Sequence, residues 1–278
     1  MKKQGLICAL IAGSLSLMGG GVHATPIDTN ALSLGELQTL FHSRTHGGVS
    51  SINVNTDESK AEVFTFQSTG ASATYVASVS YTASSLEFGL YDVYRPTERL
   101  TLFDTNSAAL GSAPGDSTQI FISYNAVTGQ ATTYSYEVNP GFPPSFTVHD
   151  SATFGGSSFG FYLTSVYGTW FSQSELNAAN GDVNGDGIPD TDHFLAYMGK
   201  GDRFDAQGTG VYLNDFAHWY IAGEATNMAG LHPSFSDFTD FVAQVESVQP
   251  LPEAATFSFL AIGLLAVFGL ARRRALNQ

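Results

Sequence analysis

The sequence predicts an all-β protein. Its class is a jelly-roll-like β-sandwich with one short N-terminal helix and, in the precursor, a C-terminal transmembrane helix. Three observations carry this expectation. Apolar residues alternate at period two through much of the chain. Gly, Pro, Asn and Asp punctuate these stretches at short intervals, as a sandwich with many turns requires. The two ends depart from the pattern, each with a long apolar run beside a cluster of positive charge.

The N-terminus opens on Met1, Lys2 and Lys3, runs apolar through 6–18, and reaches Val22-His23-Ala24. A positive start, an apolar core and a small-x-small site make a secretory signal peptide over 1–24, cleaved after Ala24. The single cysteine, Cys8, lies inside it and too early in the run for lipid attachment. The mature chain therefore has no thiol or disulfide, and its stability rests on core burial, with metal as the further staple. At the other end, residues 254–271 are almost wholly apolar and Arg272, Arg273 and Arg274 follow at once. A run of this length spans a thin bilayer as a helix. The arginines hold the cytoplasmic side, so the bulk of the chain lies outside.

Between these ends, residues 25–249 form one extracellular domain. The chain has 11 Lys and Arg against 25 Asp and Glu; setting aside Lys2, Lys3, the arginine triplet and Glu253 leaves 6 and 24, a net charge near −18. Such a surface repels nucleic acid and anionic lipid and suits cation binding. The 21 Phe and 12 Tyr argue for a real core and against disorder.

Ser33-Leu34-Gly35-Glu36 has capping-box spacing, and Leu34, Leu37 and Phe41 share one helical face, which predicts a helix over 34–42. Period-two alternation then predicts strands at 61–66, 75–81, 88–94 and 99–103, with Pro96 in the turn between the last two. Strands at 119–124 and 132–138 flank a turn containing Gly129, a hairpin pattern. Another strand follows at 158–163. The proline-rich 139–144 is too short and too central to divide the fold.

One loop, 180–193, concentrates negative charge. Counting Asp182 as position one, Asn184 is three, Asp186 five, Gly187 six, Ile188 seven and Asp190 nine, the D-x-N-x-D-G-x-x-D spacing of a calcium loop. Alternate side chains converge on one point, Gly187 permits the sharp turn, and Ile188 offers its backbone carbonyl. Ca2+ takes six to eight hard oxygens, whereas Mg2+ keeps its water. Position twelve, ordinarily a bidentate acid, is His193; Asp192 stands one residue early and completes the shell by rotation or through water. The competing reading is a solvated acidic turn. The spacing resembles the calcium repeats of dockerins and thrombospondin type-3 segments, and it implies a stabilising loop on the sandwich.

Catalytic patterns are sparse. Gly156-Ser157-Ser158-Phe159-Gly160 matches G-x-S-x-G, but a nucleophile elbow needs a helix after it and here a strand continues. His149, His193, His218 and His232 are scattered and read as surface or capping residues. Tyr162, Tyr167 and Trp170, or Tyr212, Trp219 and Tyr220, offer sugar-stacking platforms; the more economical reading puts them in the core. No nucleophile, base and oxyanion donor can be assigned together, so no enzymatic activity is expected.

Two resemblances add to this. Pro252-Glu253, a short apolar helix and the Arg272-Arg273-Arg274 triplet resemble a PEP-CTERM tail over 250–278, the bacterial sorting signal processed by an exosortase, a membrane protease; Ala254 replaces the usual second proline. Gly47-Gly48-Val49-Ser50-Ser51-Ile52-Asn53-Val54, Phe88-Gly89-Leu90-Tyr91-Asp92, Phe159-Gly160-Phe161-Tyr162-Leu163, Asp192-His193-Phe194-Leu195-Ala196-Tyr197 and Asp237-Phe238-Thr239-Asp240-Phe241-Val242 occur in an order similar to the bacterial envelope domain of unknown function 4114. That resemblance implies a β-rich extracellular module without an established activity. The family's last segment is richer in acid, and Phe235 stands where its first aspartate belongs. Of two readings for Asp237 and Asp240, a metal role shared with the family and surface carboxylates alternating with a buried Phe238, this departure favours the second. The expected function is a secreted, calcium-stabilised structural or adhesive protein of the cell envelope or exopolysaccharide (biofilm) matrix. The alternative is a carbohydrate-binding module for that exopolysaccharide.

Overall fold

The computed structural model describes residues 34–77, 85–105, 119–137, 145–177, 192–225 and 237–251. The signal peptide, the PEP-CTERM-like tail with Pro252, Glu253, Arg272, Arg273 and Arg274, and the acidic loop up to residue 191 lie outside the described residues.

Helix α1 (Gly35–Arg44) forms where the apolar spacing places it, one residue later at its start and two longer at its end. Leu37, Leu40 and Phe41 make its buried stripe, and Leu34 is buried just before it. Glu36 in the first turn and His42 and Arg44 in the last complement the helix dipole. Packing of the stripe, more than local propensity, holds so short a helix.

The strands are β1 (Phe64–Phe66), β2 (Gly70–Ala77), β3 (Glu87–Asp92), β4 (Arg95–Asp104), β5 (Gln119–Asn125), β6 (Gln130–Glu137), β7 (Ser145–Thr153), β8 (Ser158–Ser165), β9 (Gly168–Phe171), β10 (Phe194–Met198), β11 (Arg203–Phe204), β12 (Leu213–Asn214), β13 (Trp219–Gly223), β14 (Phe241–Glu246) and β15 (Val248–Pro250). One sheet has the order β15-β1-β8-β3-β4, with β9 also on β8; the other runs β10-β13-β14-β2-β5-β6-β7. β11 and β12 form a separate short ribbon. Pairing is antiparallel, as in the β3–β8 and β13–β14 ladders. The two large sheets close on one core: Phe88 stacks on Phe241 at 4.4 Å and Phe64 meets Trp219 edge-on at 5.4 Å.

Local patterns explain much of this. In β5, Ile120, Ile122 and Tyr124 point into the core and the residues between them do not. The β5–β6 hairpin turns through Gly129 at φ +72°, where a Cβ would strike the Phe154 carbonyl oxygen. β13 and β14 behave differently. Trp219 and Ile221 face the inter-sheet core, while Tyr220 and Ala222 face a second core under α1 with Leu37, Phe41, Ile52 and Tyr197. A strand buried on both faces reads as a continuous apolar run, without alternation.

One expected turn needs correction. Pro96 lies within β4, and the turn is made by Val93 and Tyr94. β4 is a sheet edge, where a residue without an N–H costs no ladder bond. The proline-rich segment joins β6 to β7, which pair directly as antiparallel neighbours.

Candidate cation-binding cleft beside the acidic loop

The acidic loop returns to the described structure at Asp192, just before β10. Of the six expected ligands Asp182, Asn184, Asp186, Ile188, Asp190 and Asp192, the first five lie outside the described residues. Asp192 is buried and lines a small cleft, partly open to solvent, with Glu58, Lys60, Ala61, Glu62, Phe194 and Leu195.

The cleft follows from how segment 58–62 covers the free edge of β10. Glu58 forms an isolated bridge with Tyr197, and the Ser59 N–H donates to the Ala196 carbonyl at 2.9 Å. This leaves Glu58 and Glu62 beside Asp192. The Lys60 N–H donates to Glu58 Oε1 at 2.5 Å, and Ser174 Oγ donates to Glu62 Oε1 at 2.7 Å. Burial pushes both glutamates up to about 7. The Lys60 N–H and ammonium oppose this at Glu58, as do the Ser174 donors at Glu62, while the Asp192 charge raises both further. At neutral pH the two glutamates thus share protons with solvent.

Carboxylates are hard oxygen donors of the kind Ca2+ takes. Among the described residues, however, no three His, Cys, Asp or Glu side chains converge closely enough to hold a metal ion. The cleft supplies Asp192 at the foot of the loop; a complete shell needs oxygens from 182–190. Glu58 and Glu62 had no sequence signal: two acids before a strand, far along the chain from Asp192, are brought to it by the edge of the sheet alone.

His193, at position twelve, turns away from this cleft. It is fully buried, its ring lies flat on Trp170 at 4.0 Å, and Nδ1 is 2.9 Å from the Glu224 carbonyl oxygen. The expectation of a surface or capping histidine is overturned here. Burial lowers its pKa from 6.5 to about 4, against the Glu224 hydrogen bond. Between these values the unfolded chain binds more protons, so the ring's contribution is complete above pH 6.5 and is lost as pH falls toward 4. In chelator, the stability advantage of the native protein over His193→Gln should shrink by up to about 3 kcal/mol across that window. Urea unfolding reads this; an advantage that stays constant would mean a solvated ring. Glu58 and Glu62 tend the other way in both proteins, losing stability as pH rises from 4.5 to about 7.

Asp237 and Asp240 are also corrected. Phe238 is buried as expected, but both carboxylates are buried with it. Asp237 Oδ1 accepts the Thr239 N–H and hydroxyl at 3.0 and 2.6 Å, and Asp240 Oδ2 accepts the Ala225 N–H at 2.8 Å. The segment is a turn into β14, with Phe238 at φ +54°, so strand alternation does not apply.

Ser158 is the first residue of β8, which runs on as a strand through Ser165. The strand-turn-helix context of a nucleophile elbow is not formed there. His149 bonds Ser135 Oγ at 2.8 Å, and His218 lies 3.5 Å from Glu246. Of the expected sugar platforms, Tyr162, Trp170, Trp219 and Tyr220 are buried, as the core reading holds. Tyr167 is exposed, and Tyr212 packs edge-on against His46. Neither trio forms a platform.

Compared with known proteins, the chain matches no family model, no curated protein and no solved structure.

Proposed function

We propose that this is a secreted structural or adhesive protein of the bacterial envelope or exopolysaccharide matrix, stabilised by calcium. In this reading it is a PEP-CTERM protein built on the envelope domain of unknown function 4114. The observation that carries the calcium assignment is the Asp182-Asn184-Asp186-Gly187-Asp190 register, followed by Asp192 at a carboxylate-lined cleft. Asp182, Asn184, Asp186, the Ile188 carbonyl, Asp190 and Asp192 would hold the ion, which would neutralise the loop and pin it to the β10 edge. The sandwich is read as jelly-roll-like because the chain passes repeatedly between the two sheets, from β1 to β2, β2 to β3, β4 to β5 and β7 to β8. No enzymatic role is assigned to Ser158. The alternative, a carbohydrate-binding module, keeps the fold and the sorting and changes only the work of the surface.

The leader would export the chain, and helix 254–271 would hold the precursor in the inner membrane until an exosortase acts near Pro252 and Glu253. Among the described residues no helix is long and apolar enough to cross a membrane. The test is removal of residues 254–278 in an exosortase-carrying host. The shortened protein should appear as a soluble exported species, while the full-length precursor fractionates with the inner membrane. Identical fractionation and identical C-terminal mass for both forms would rule the sorting reading out.

A further inference from the structure

One cluster of half-buried and exposed apolar side chains lies on a face that the sequence motifs did not single out. The outward sides of β5, β6 and β7 carry Phe121, Tyr134, Phe146 and Val148. Phe121 pairs with Tyr134 across β5–β6, and Tyr134 pairs with Val148 across β6–β7. The Phe121 and Tyr134 rings stack at 5.7 Å and 21°, and Phe146 meets Tyr134 edge-on at 5.7 Å. Phe146 is 63% exposed and Val148 66%. Scattered apolar residues at a surface need no explanation, but a ladder joined across three strands marks an interaction face. Ser123 and Thr132, paired beside it, add hydroxyls.

Charge narrows the partner. The mature chain is near −18, yet from Ser117 to His149 Glu137 is the only Asp, Glu, Lys or Arg. An anionic polymer would meet the acidic field of the whole domain. A cationic partner would find its carboxylates elsewhere. A second copy would bring an equally acidic body against the first. An uncharged face carrying a cluster of rings bordered by hydroxyls suits an uncharged ligand with apolar ring faces and hydroxyl edges.

We propose that the outer face of β5, β6 and β7 binds a neutral glycan chain, whose pyranose faces stack on Phe121, Tyr134 and Phe146 while its hydroxyls meet Ser123 and Thr132. Mutual ring stacking holds the ladder in place before binding, which lowers the ordering cost. The proposal rests on the adhesive reading for the kind of partner it names, and on the strand register for its location.

Affinity electrophoresis of the purified protein tests it, with gels containing hydroxyethylcellulose, mannan, dextran, alginate or polygalacturonate. Retardation is expected in at least one neutral gel and in neither acidic gel. It should fall at least tenfold in Phe146→Ala and in Val148→Lys, whose side chains are too exposed to endanger folding, and in Tyr134→Ala if its melting temperature is unchanged. Tyr167→Ala, exposed elsewhere, should bind as the native protein does. No retardation in any neutral gel, equal retardation in the variants, or a Phe146-dependent dimer in sedimentation without glycan retention would each overturn the proposal. Sorting is read by fractionation and calcium by melting, so failure here is separable from failure of either.

Discussion

Millimolar calcium is expected to raise the melting temperature of the mature protein, and Asp186→Ala to abolish the effect. The spacing of Asp182, Asp186 and Asp190 would bring three carboxylates together in a closed calcium loop, and without a cation their mutual repulsion would oppose closure. Asp192 adds a fourth charge at the loop's foot, beside two glutamates that burial already drives toward protonation. An ion that binds only the closed loop stabilises the fold by mass action, about 2.7 kcal/mol at a hundredfold excess over the dissociation constant. With a histidine, buried against Trp170, in place of the bidentate acid of position twelve, affinity should lie in the ~10⁻⁴–10⁻³ M range of extracellular modules. At 10 mM calcium the tighter end of that range gives roughly 5–10 °C in a domain of this size. Magnesium, which keeps its water and demands tighter geometry, should do little. Calorimetry without calcium heat, together with a melting temperature that neither calcium nor chelator moves, would leave only a solvated acidic turn.

Part of this was legible in the residues. The helix α1 stripe and the β5–β6 hairpin were readable because each buries a single face, so its period shows directly in the sequence. β13 was not, because Tyr220 and Ala222 enter a second core as Trp219 and Ile221 enter the first. β7 alternates well enough, but its apolar side, Phe146 and Val148, faces out, and periodicity carries no sign of which side is solvent. Asp237 and Asp240 looked like outward strand residues because the pattern shows neither the local bonds from Thr239 to Asp237 nor the bond to Asp240 from Ala225, a partner 15 residues away. The same limit hid Glu58 and Glu62, whose meeting with Asp192 exists only once β10 has an edge for residues 58–60 to cover. Local pattern reports which faces a segment has, while sheet order decides what those faces meet.

Gly89→Ala should be among the most damaging single-methyl additions, costing about 3 kcal/mol or more. Gly89 lies in β3 at a register shift against β4, between the Phe88–Phe103 and Gly89–Thr101 pairs. A Cβ there would fall 2.7 and 2.9 Å from Tyr162 Cε1 and Oη, and closer still to the Leu100 carbonyl oxygen. The backbone oxygen cannot rotate away. The Tyr162 ring lies over the glycine, its hydroxyl donates to Glu87 Oε1 at 2.5 Å, and its outer face carries the Arg99 guanidinium at 5.1 Å. Moving the ring would therefore break a half-buried hydrogen bond and a cation–π contact together. The neighbouring strand repeats the device, with the Tyr91 ring over Gly160 in β8. Gly35→Ala is the matched control: it opens α1 with no atom within 4 Å of a new Cβ, and should be neutral or stabilising by a few tenths of a kcal/mol. Thermal melts of the two variants decide the matter. If Gly89→Ala melts with the native protein, the close approach of β3, β4 and Tyr162 is not what holds this sheet together.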